Sequence, residues 1–283
     1  METVSNVRKV QLTQIEILKV FMNFCLENHL RWYMIGGSLI GVLRHKGFIP
    51  WDDDIDVGMP RVDYDKFVSL QSKFPNGYTL TDHHNDKNWQ FNFSQFVDNE
   101  SEIIVHMNET PRKCKIWIDV FPIDGLPSNS IKRWFHVRRI MRCRYLVQIP
   151  NLRTQVDTHK VGRPWYEKVA IKLLHFLPIG AFINVDSVLA KMERILHLYD
   201  FDNSEWAGNM LGKQRENEAM KKEWWGAPIQ LPFENINVNC PFDADKIEHQ
   251  LYGDYMTMPN EKDRVSHDIE IIKLRNEPTL HLS

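Results

Sequence analysis

MIGGSLIGVLRHKGFIPWDDDIDVGMPR, residues 34–61, decides how the rest of the chain is read. A glycine pair, Gly36 and Gly37, ends a short apolar run that begins at Leu30, and Ser38 then offers a helix cap ahead of Leu39, Ile40, Val42 and Leu43. The pattern is strand, glycine turn, helix. Gly47 and Pro50 break the chain, and an acidic block follows: Asp52, Asp53, Asp54 and Asp56. From Asp54 the residues alternate acidic and apolar, so a strand would turn Asp54 and Asp56 to one face and Ile55 and Val57 to the other. Two carboxylates on one strand face suit a hard cation such as magnesium or manganese, which keeps its other positions for water and phosphate oxygens. Asp52 can line up with them, but it follows Pro50 and is expected to precede regular strand, so it and Asp53 are given supporting positions.

Glycine lets backbone approach a ligand, and exposed amides at a helix start attract anions, so Gly36, Gly37 and Ser38 form a candidate phosphate cradle. Alone, the tripeptide fits an ordinary capped turn equally well; the acid pair one turn and helix later gives it meaning. A third carboxylate is sought for phosphoryl transfer. Asp119 stands alone in the apolar strand Ile116 to Phe121, where a charge is costly unless it faces a cation or a wet cleft. Asp124, after Pro122, reads as a turn residue.

Working outward, Leu12 to Leu26 has helical periodicity, Asp63 to Phe74 reads as a surface helix, and Gly77 to Leu80, Gln90 to Val97 and Ile103 to Met107 have strand character. Asp186 to Tyr199, Lys213 to Trp225 and Ala244 to Leu251 read as helices, Phe233 to Cys240 as a strand, and the end of the chain as a polar tail. This order implies an α+β fold, a mixed sheet flanked by helices. Between Leu126 and Val156 there is no acidic residue, yet Lys132, Arg133, Arg138, Arg139, Arg142, Arg144 and Arg153 fall there among apolar residues; Trp165 to Phe182 is similar in character. These segments predict a basic, mainly helical insertion at residues 127–200, between a catalytic core at 1–126 and a C-terminal part at 201–283 that packs back on it.

The formal charge of -2, from 35 basic and 37 acidic residues, gives no whole-chain field for nucleic acid. No uninterrupted apolar run reaches the roughly 20 residues that span a bilayer. The polar N-terminus lacks the apolar segment of a signal peptide, so a cytoplasmic protein is expected. Cys25, Cys114, Cys143 and Cys240 have no paired spacing and read as ordinary thiols.

The block Gly36 to Val57 closely resembles the LicD family of bacterial phosphocholine transferases, with further matches at Ile118 to Gly125, Leu231 to Asn235 and Leu251 to Met256, and His267 near the end. The middle of the chain carries no matching motif. The resemblance implies a nucleotidyltransferase-like fold similar to the DNA polymerase beta superfamily, and a CDP-linked donor. It implies that Gly36, Gly37 and Ser38 are the phosphate-binding turn, Asp54 and Asp56 the metal pair, and Asp119 the third carboxylate, completing the metal site and taking the acceptor's proton. The reaction implied is transfer of phosphocholine from CDP-choline to a glycan hydroxyl with release of CMP. Phosphoethanolamine, glycerol phosphate and ribitol phosphate are alternative transferred groups, and a nucleotide-binding protein without turnover is an alternative of another class.

Arg44, Lys46 and Arg61 flank the motif and can neutralise a diphosphate, though each equally suits a surface position. Arg264 and His267 rest on the family's C-terminal pattern alone. Choline's quaternary ammonium is held in aromatic cages, for which Trp51 and Trp117 are the candidates. The acceptors implied are cell-envelope glycans such as teichoic acid, lipopolysaccharide or capsule, often lipid-linked at the inner face of the membrane. The basic apolar segments would suit that surface, or would simply pack on the core.

Overall fold

The computed structural model describes residues 5–106, 111–155, 183–261, 264 and 268–275, without the side chains of 151–155. The Trp165 to Phe182 segment and His267 lie outside the described residues. Helix α1 (Asn6–Glu27) is capped by Ser5, whose hydroxyl accepts the Arg8 amide at 3.2 Å, and ends before His29 at φ 54°. Its apolar side, including Ile17, Leu18, Phe21 and Phe24, lies on the sheet. Phe21 meets Phe67 edge-on, with ring centroids 5.3 Å apart, and lies 6.1 Å from Phe96. Truncating so buried a ring typically costs about 3–5 kcal/mol.

The sheet is mixed, as the alternating order of elements predicts. Strands β1 (Tyr33–Met34), β2 (Asp56–Pro60), β5 (Arg112–Leu126), β4 (Ser94–His106) and β10 (Asp268–Lys273) lie side by side in that order. The β2–β5 pairing is parallel, and the other pairings along this path are antiparallel. β3 (Tyr78–Thr81) adds to β4, and β6 (Trp206–Gly208) joins the end of β5 and carries β7 (Met220–Lys221). Helix α2 (Gly36–Ile40) continues through a π turn at Gly41–His45, and α3 (Arg61–Ser69) follows β2 directly. Helices α4 (Ser130–Gln155) and α5 (Val185–Leu196) pack together through Val137, Ile140, Met141, Met192 and Leu196, an apolar cluster separate from that under α1.

Several local expectations change. Gln90 to Val97 and Ile103 to Met107 contribute to one strand, β4, whose register shifts between Asp98 and Ile103. Ser101 permits this: its buried hydroxyl donates to the Asp98 carbonyl and accepts the Ile116 amide, both at 2.8 Å. Lys213 to Trp225 is no continuous helix. A 3-10 turn at Arg215–Glu218, with Arg215 at φ 56°, gives way to β7 and a one-turn helix α6 (Lys222–Trp225). Phe233 to Cys240 is part of a hairpin, β8 (Ile229–Phe233) and β9 (Ile236–Cys240), because Glu234 takes a left-handed conformation. The polar tail supplies β10, and α7 (Ala244–Tyr252) closes over α2.

Candidate active site

β2 begins only at Asp56, so Asp52 and Asp54 lie on the extended loop leading into it. That loop is held from below by α1: Gln11 donates to the Asp52 carbonyl at 2.8 Å, and Gln14 to the Asp53 carbonyl at 2.9 Å and the Trp117 carbonyl at 3.2 Å. Both glutamines are buried, which ties the acidic loop to the core through its backbone and leaves the side chains for the cleft. Asp52, Asp54 and Asp56 all line that cleft, a cavity of about 820 Å³. Asp52 is therefore a site residue and not a supporting one. Its period-two relation to Asp54 and Asp56 persists through the loop although regular strand has not begun.

Asp119 stands across from Asp56 in the parallel β2–β5 register, and Gln95 stands across from Asp119 in the antiparallel β5–β4 register. The three form a row across the sheet, in which the Gln95 amide donates to Asp119 Oδ1 at 2.9 Å. Ser38 is not the helix cap, since α2 starts at Gly36. Its hydroxyl accepts the Asp56 amide at 2.8 Å and fastens the glycine turn to the acidic strand. Gly36 has φ +56°, and a Cβ there would meet Asp56 Oδ2 at 3.5 Å and Tyr252 Oη at 3.6 Å. A Cβ on Gly37 would come within 3.0 Å of Asp52 Oδ2. Glycine thus brings backbone against the carboxylates at both positions.

Crowding these acids raises their proton affinity. Burial, then the neighbouring Asp54 and Asp53, push Asp52 up to about 8, with Lys213 pulling it back. Burial, with Asp54, Asp119, Asp52 and Glu218 adding to it, carries Asp56 well above the carboxylate range. Burial lifts Asp119 to about 7 against the opposing Gln95 hydrogen bond. Such an all-oxygen set, short of positive charge, fits a divalent cation of the magnesium type. Asp54 and Asp56, with Asp52 beside them and Asp119 behind, are the residues that would hold it.

The other sequence candidates divide. Arg44 lines the cleft, with Nη1 donating to the Tyr255 carbonyl at 2.5 Å. Trp51 also lines it, and the Arg264 guanidinium lies 5.0 Å from its ring centroid while Arg264 Nε donates to the Pro259 carbonyl at 3.1 Å. Lys46 ends the π turn at φ 54°, its carbonyl accepting the Glu234 amide at 2.8 Å, and it is not among the lining residues. Trp117 packs against the main core. Arg61 is buried elsewhere: its Nε binds Asp124 Oδ1 at 2.6 Å and its Nη1 approaches Asp65 at 3.5 Å. Asp124 is accordingly no turn residue but a fully buried partner on β5.

Sequence reasoning passed over other lining groups. Arg144, on α4, donates through Nη1 to the Met210 and Gly212 carbonyls at 2.9 and 3.0 Å. Lys213 follows that glycine, and Glu218 is lifted by burial to about 7 against a hydrogen bond from the Gln214 amide. An aromatic wall comprises Phe91, Phe93 and Phe121, with the last two rings stacked 4.3 Å apart. Only Arg144 had a signal in the sequence, as one member of the basic run. The rest become site residues through tertiary packing of loops.

Comparison with known proteins agrees with this geometry. Residues 29–164, which include the glycine turn, the acidic loop and Asp119, match the family model described as LicD/FKTN/FKRP, nucleotidyltransferase domain. The lipopolysaccharide cholinephosphotransferase LicD of Haemophilus influenzae is 28% identical over 281 residues, covering 93% of this chain and 96% of that protein. Uncharacterised proteins of Rickettsia prowazekii and Rickettsia typhi are 30% identical over 74 and 73 residues, 28% and 24% of their lengths. With the family's domain over the site and a LicD protein aligned along nearly its whole length, the chain is similar to the LicD phosphotransferases both at the site and beyond it.

Proposed function

We propose that this protein transfers phosphocholine from CDP-choline to a hydroxyl of a cell-envelope glycan, releasing CMP. The observation that carries the reading is the set Asp52, Asp54 and Asp56 facing the Gly36–Gly37 turn, with Asp119 in register behind, in a cleft that also presents Arg44, Arg144 and Lys213. Carboxylates for a cation and cations for a diphosphate in one cavity are what a CDP-linked donor requires. The relative named for choline phosphate and lipopolysaccharide supports the choice of transferred group and of a lipopolysaccharide-type acceptor.

Magnesium or manganese, when bound, would neutralise the acids and the donor's diphosphate and polarise the transferred phosphoryl group. The chain's own residues orient the reactants and take up the proton. The acceptor oxygen forms a bond to the phosphorus bearing choline as the anhydride bond to CMP breaks, and the hydroxyl proton passes to a carboxylate. Glu218 suits that role better than Asp119, because it lines the cleft with a carboxyl near 7, whereas Asp119 stands behind Asp56 and is engaged by Gln95. For the quaternary ammonium there are two aromatic surfaces, Trp51 under Arg264 and the Phe91–Phe93–Phe121 wall. Among the described residues the wall carries no guanidinium in cation-π contact, which makes it the better host.

No helix among the described residues is long and apolar enough to cross a membrane. Ile131, Trp134, Phe135, Arg138, Arg142 and Tyr145 follow helical spacing along the exposed side of α4. This basic, aromatic stripe supports a cytoplasmic enzyme resting on the inner membrane face, where lipid-linked acceptor is presented.

The test is CMP release with lipopolysaccharide acceptor and magnesium, comparing CDP-choline with the CDP derivatives of ethanolamine, glycerol and ribitol. CDP-choline should be turned over fastest. Faster release from another donor would reassign the transferred group, and tight donor binding without CMP release from any would overturn the assignment of turnover.

A further inference from the structure

We propose a second metal site, of the zinc class, formed by His83, His84 and Glu193 and separate from the aspartate cluster. One ligand atom from each lies within 4.8 Å of the others. His83 and His84 occupy the turn after β3, and Glu193 lies on α5. His83 Nε2 is 3.6 Å from Glu193 Oε2, and His84 Nε2 is 3.5 Å from Glu193 Oε1. These separations are long for hydrogen bonds. The two distances run to different Glu193 oxygens, so a zinc ion, whose tetrahedral ligands at about 2.0–2.1 Å stand roughly 3.3 Å apart, would draw one of these oxygens in toward both imidazoles.

The bare arrangement leaves needs that a metal meets. His83 Nε2 is buried without a hydrogen-bond partner among the described residues. The two imidazoles lie 3.9 Å apart between centroids, with both Nε2 atoms near the one Glu193 carboxylate. A metal takes imidazole in its neutral form and gives both nitrogens a partner. The turn is also organised in advance: buried Asp82 accepts the His84 and Asn85 amides through Oδ1 at 2.8 and 3.0 Å, and Asn85 in turn accepts the Asp82 amide at 3.0 Å. Two histidines and one carboxylate leave a fourth tetrahedral position for water.

The site clamps two walls of the cleft. Residues 90–93, further along the His83–His84 loop, and Met192, the neighbour of Glu193, both line it. Asn92 already bonds the Leu189 carbonyl of α5 at 3.3 Å. A zinc ion here would fix the β3–β4 loop to α5 and so set the position of the Phe91 and Phe93 wall.

Zinc chloride titrated into the full chain against a chromophoric chelator, with excess magnesium to fill the aspartate site, tests this. One zinc should bind per chain, and cobalt in its place should give absorption of tetrahedral strength. Binding should survive Asp54→Asn and weaken by more than about 100-fold in His84→Gln and in Glu193→Gln, beyond what loss of an outer partner costs. His84 is exposed, so its variant should fold, which circular dichroism checks. Unchanged zinc affinity in both His84→Gln and Glu193→Gln, or its loss in Asp54→Asn, would overturn the proposal.

Discussion

Replacing Asp119 by asparagine should stabilise the metal-free protein at alkaline pH while removing a carboxylate from its site. Burial takes the Asp119 carboxyl from an ordinary 3.8 to about 7. At about 1.36 kcal/mol per pKa unit, holding it ionised in the fold costs on the order of 4 kcal/mol. The sign follows from linkage: a carboxylate whose folded pKa is raised favours the fold below its unfolded pKa, and that advantage is lost as pH rises through the folded value. Without metal, stability should therefore fall between about pH 4 and pH 7, with Asp52, lifted to about 8, extending the decline. Asparagine keeps the shape and can still meet Gln95 through its amide oxygen, so it should recover part of the loss, roughly 1–3 kcal/mol at pH 8, and flatten the slope. Urea unfolding across pH 5–8 with a chelator, repeated in millimolar magnesium, reads this out. In magnesium the ranking should invert, since ligand binding stabilises the parent more. An Asp119→Asn protein less stable than the parent at pH 8 in chelator, or with the parent's pH slope unchanged, would refute the account of the acids as an uncompensated cluster.

Arg61→Ala should cost about 3–5 kcal/mol by stranding the buried Asp124, and its unfolding midpoint should fall while KM for the donor, measured below that midpoint, stays near the parent value. A KM rise without loss of stability would instead put Arg61 on the diphosphate. Glu218→Gln should lower kcat by about 100-fold or more and abolish the rise in rate through pH 7 measured in saturating magnesium; persistence of that rise would return the base role to another group. Trp134→Glu with Phe135→Glu should weaken sedimentation with anionic lipid vesicles without changing turnover of a soluble acceptor, because both side chains are exposed on α4, and unchanged sedimentation would remove this face from membrane contact.

What the sequence could disclose depended on how far each residue's role is set by its neighbours along the chain. Alternation alone brought Asp54 and Asp56 together, and an isolated charge among Ile116, Ile118 and Val120 singled out Asp119; the parallel register of Asp56 with Asp119 then joins them. Parity misplaced Asp52 because the rule was tied to regular strand, whereas here the loop keeps its alternation by hanging its carbonyls on Gln11 and Gln14. Those glutamines belong to the polar N-terminal stretch, and nothing local shows that they are buried. Arg61 failed in the opposite way: proximity to the motif suggested the site, but β2 runs straight into α3 and carries the side chain to Asp124.

Glu218 and Lys213 show the harder limit. They lie in a segment that looks helical, and only the left-handed Arg215 and the pairing of β7 with β6 turn it into the loop that reaches the cleft. A charge used this way has no period and no motif. Its signature is energetic, a carboxyl buried beside other carboxyls, and that becomes visible only once the fold has brought Glu218 near Asp56. The acidic loop announced the site because its residues are contiguous; the groups proposed to neutralise the donor and to take the acceptor's proton are dispersed, since they must surround the ligand from several directions.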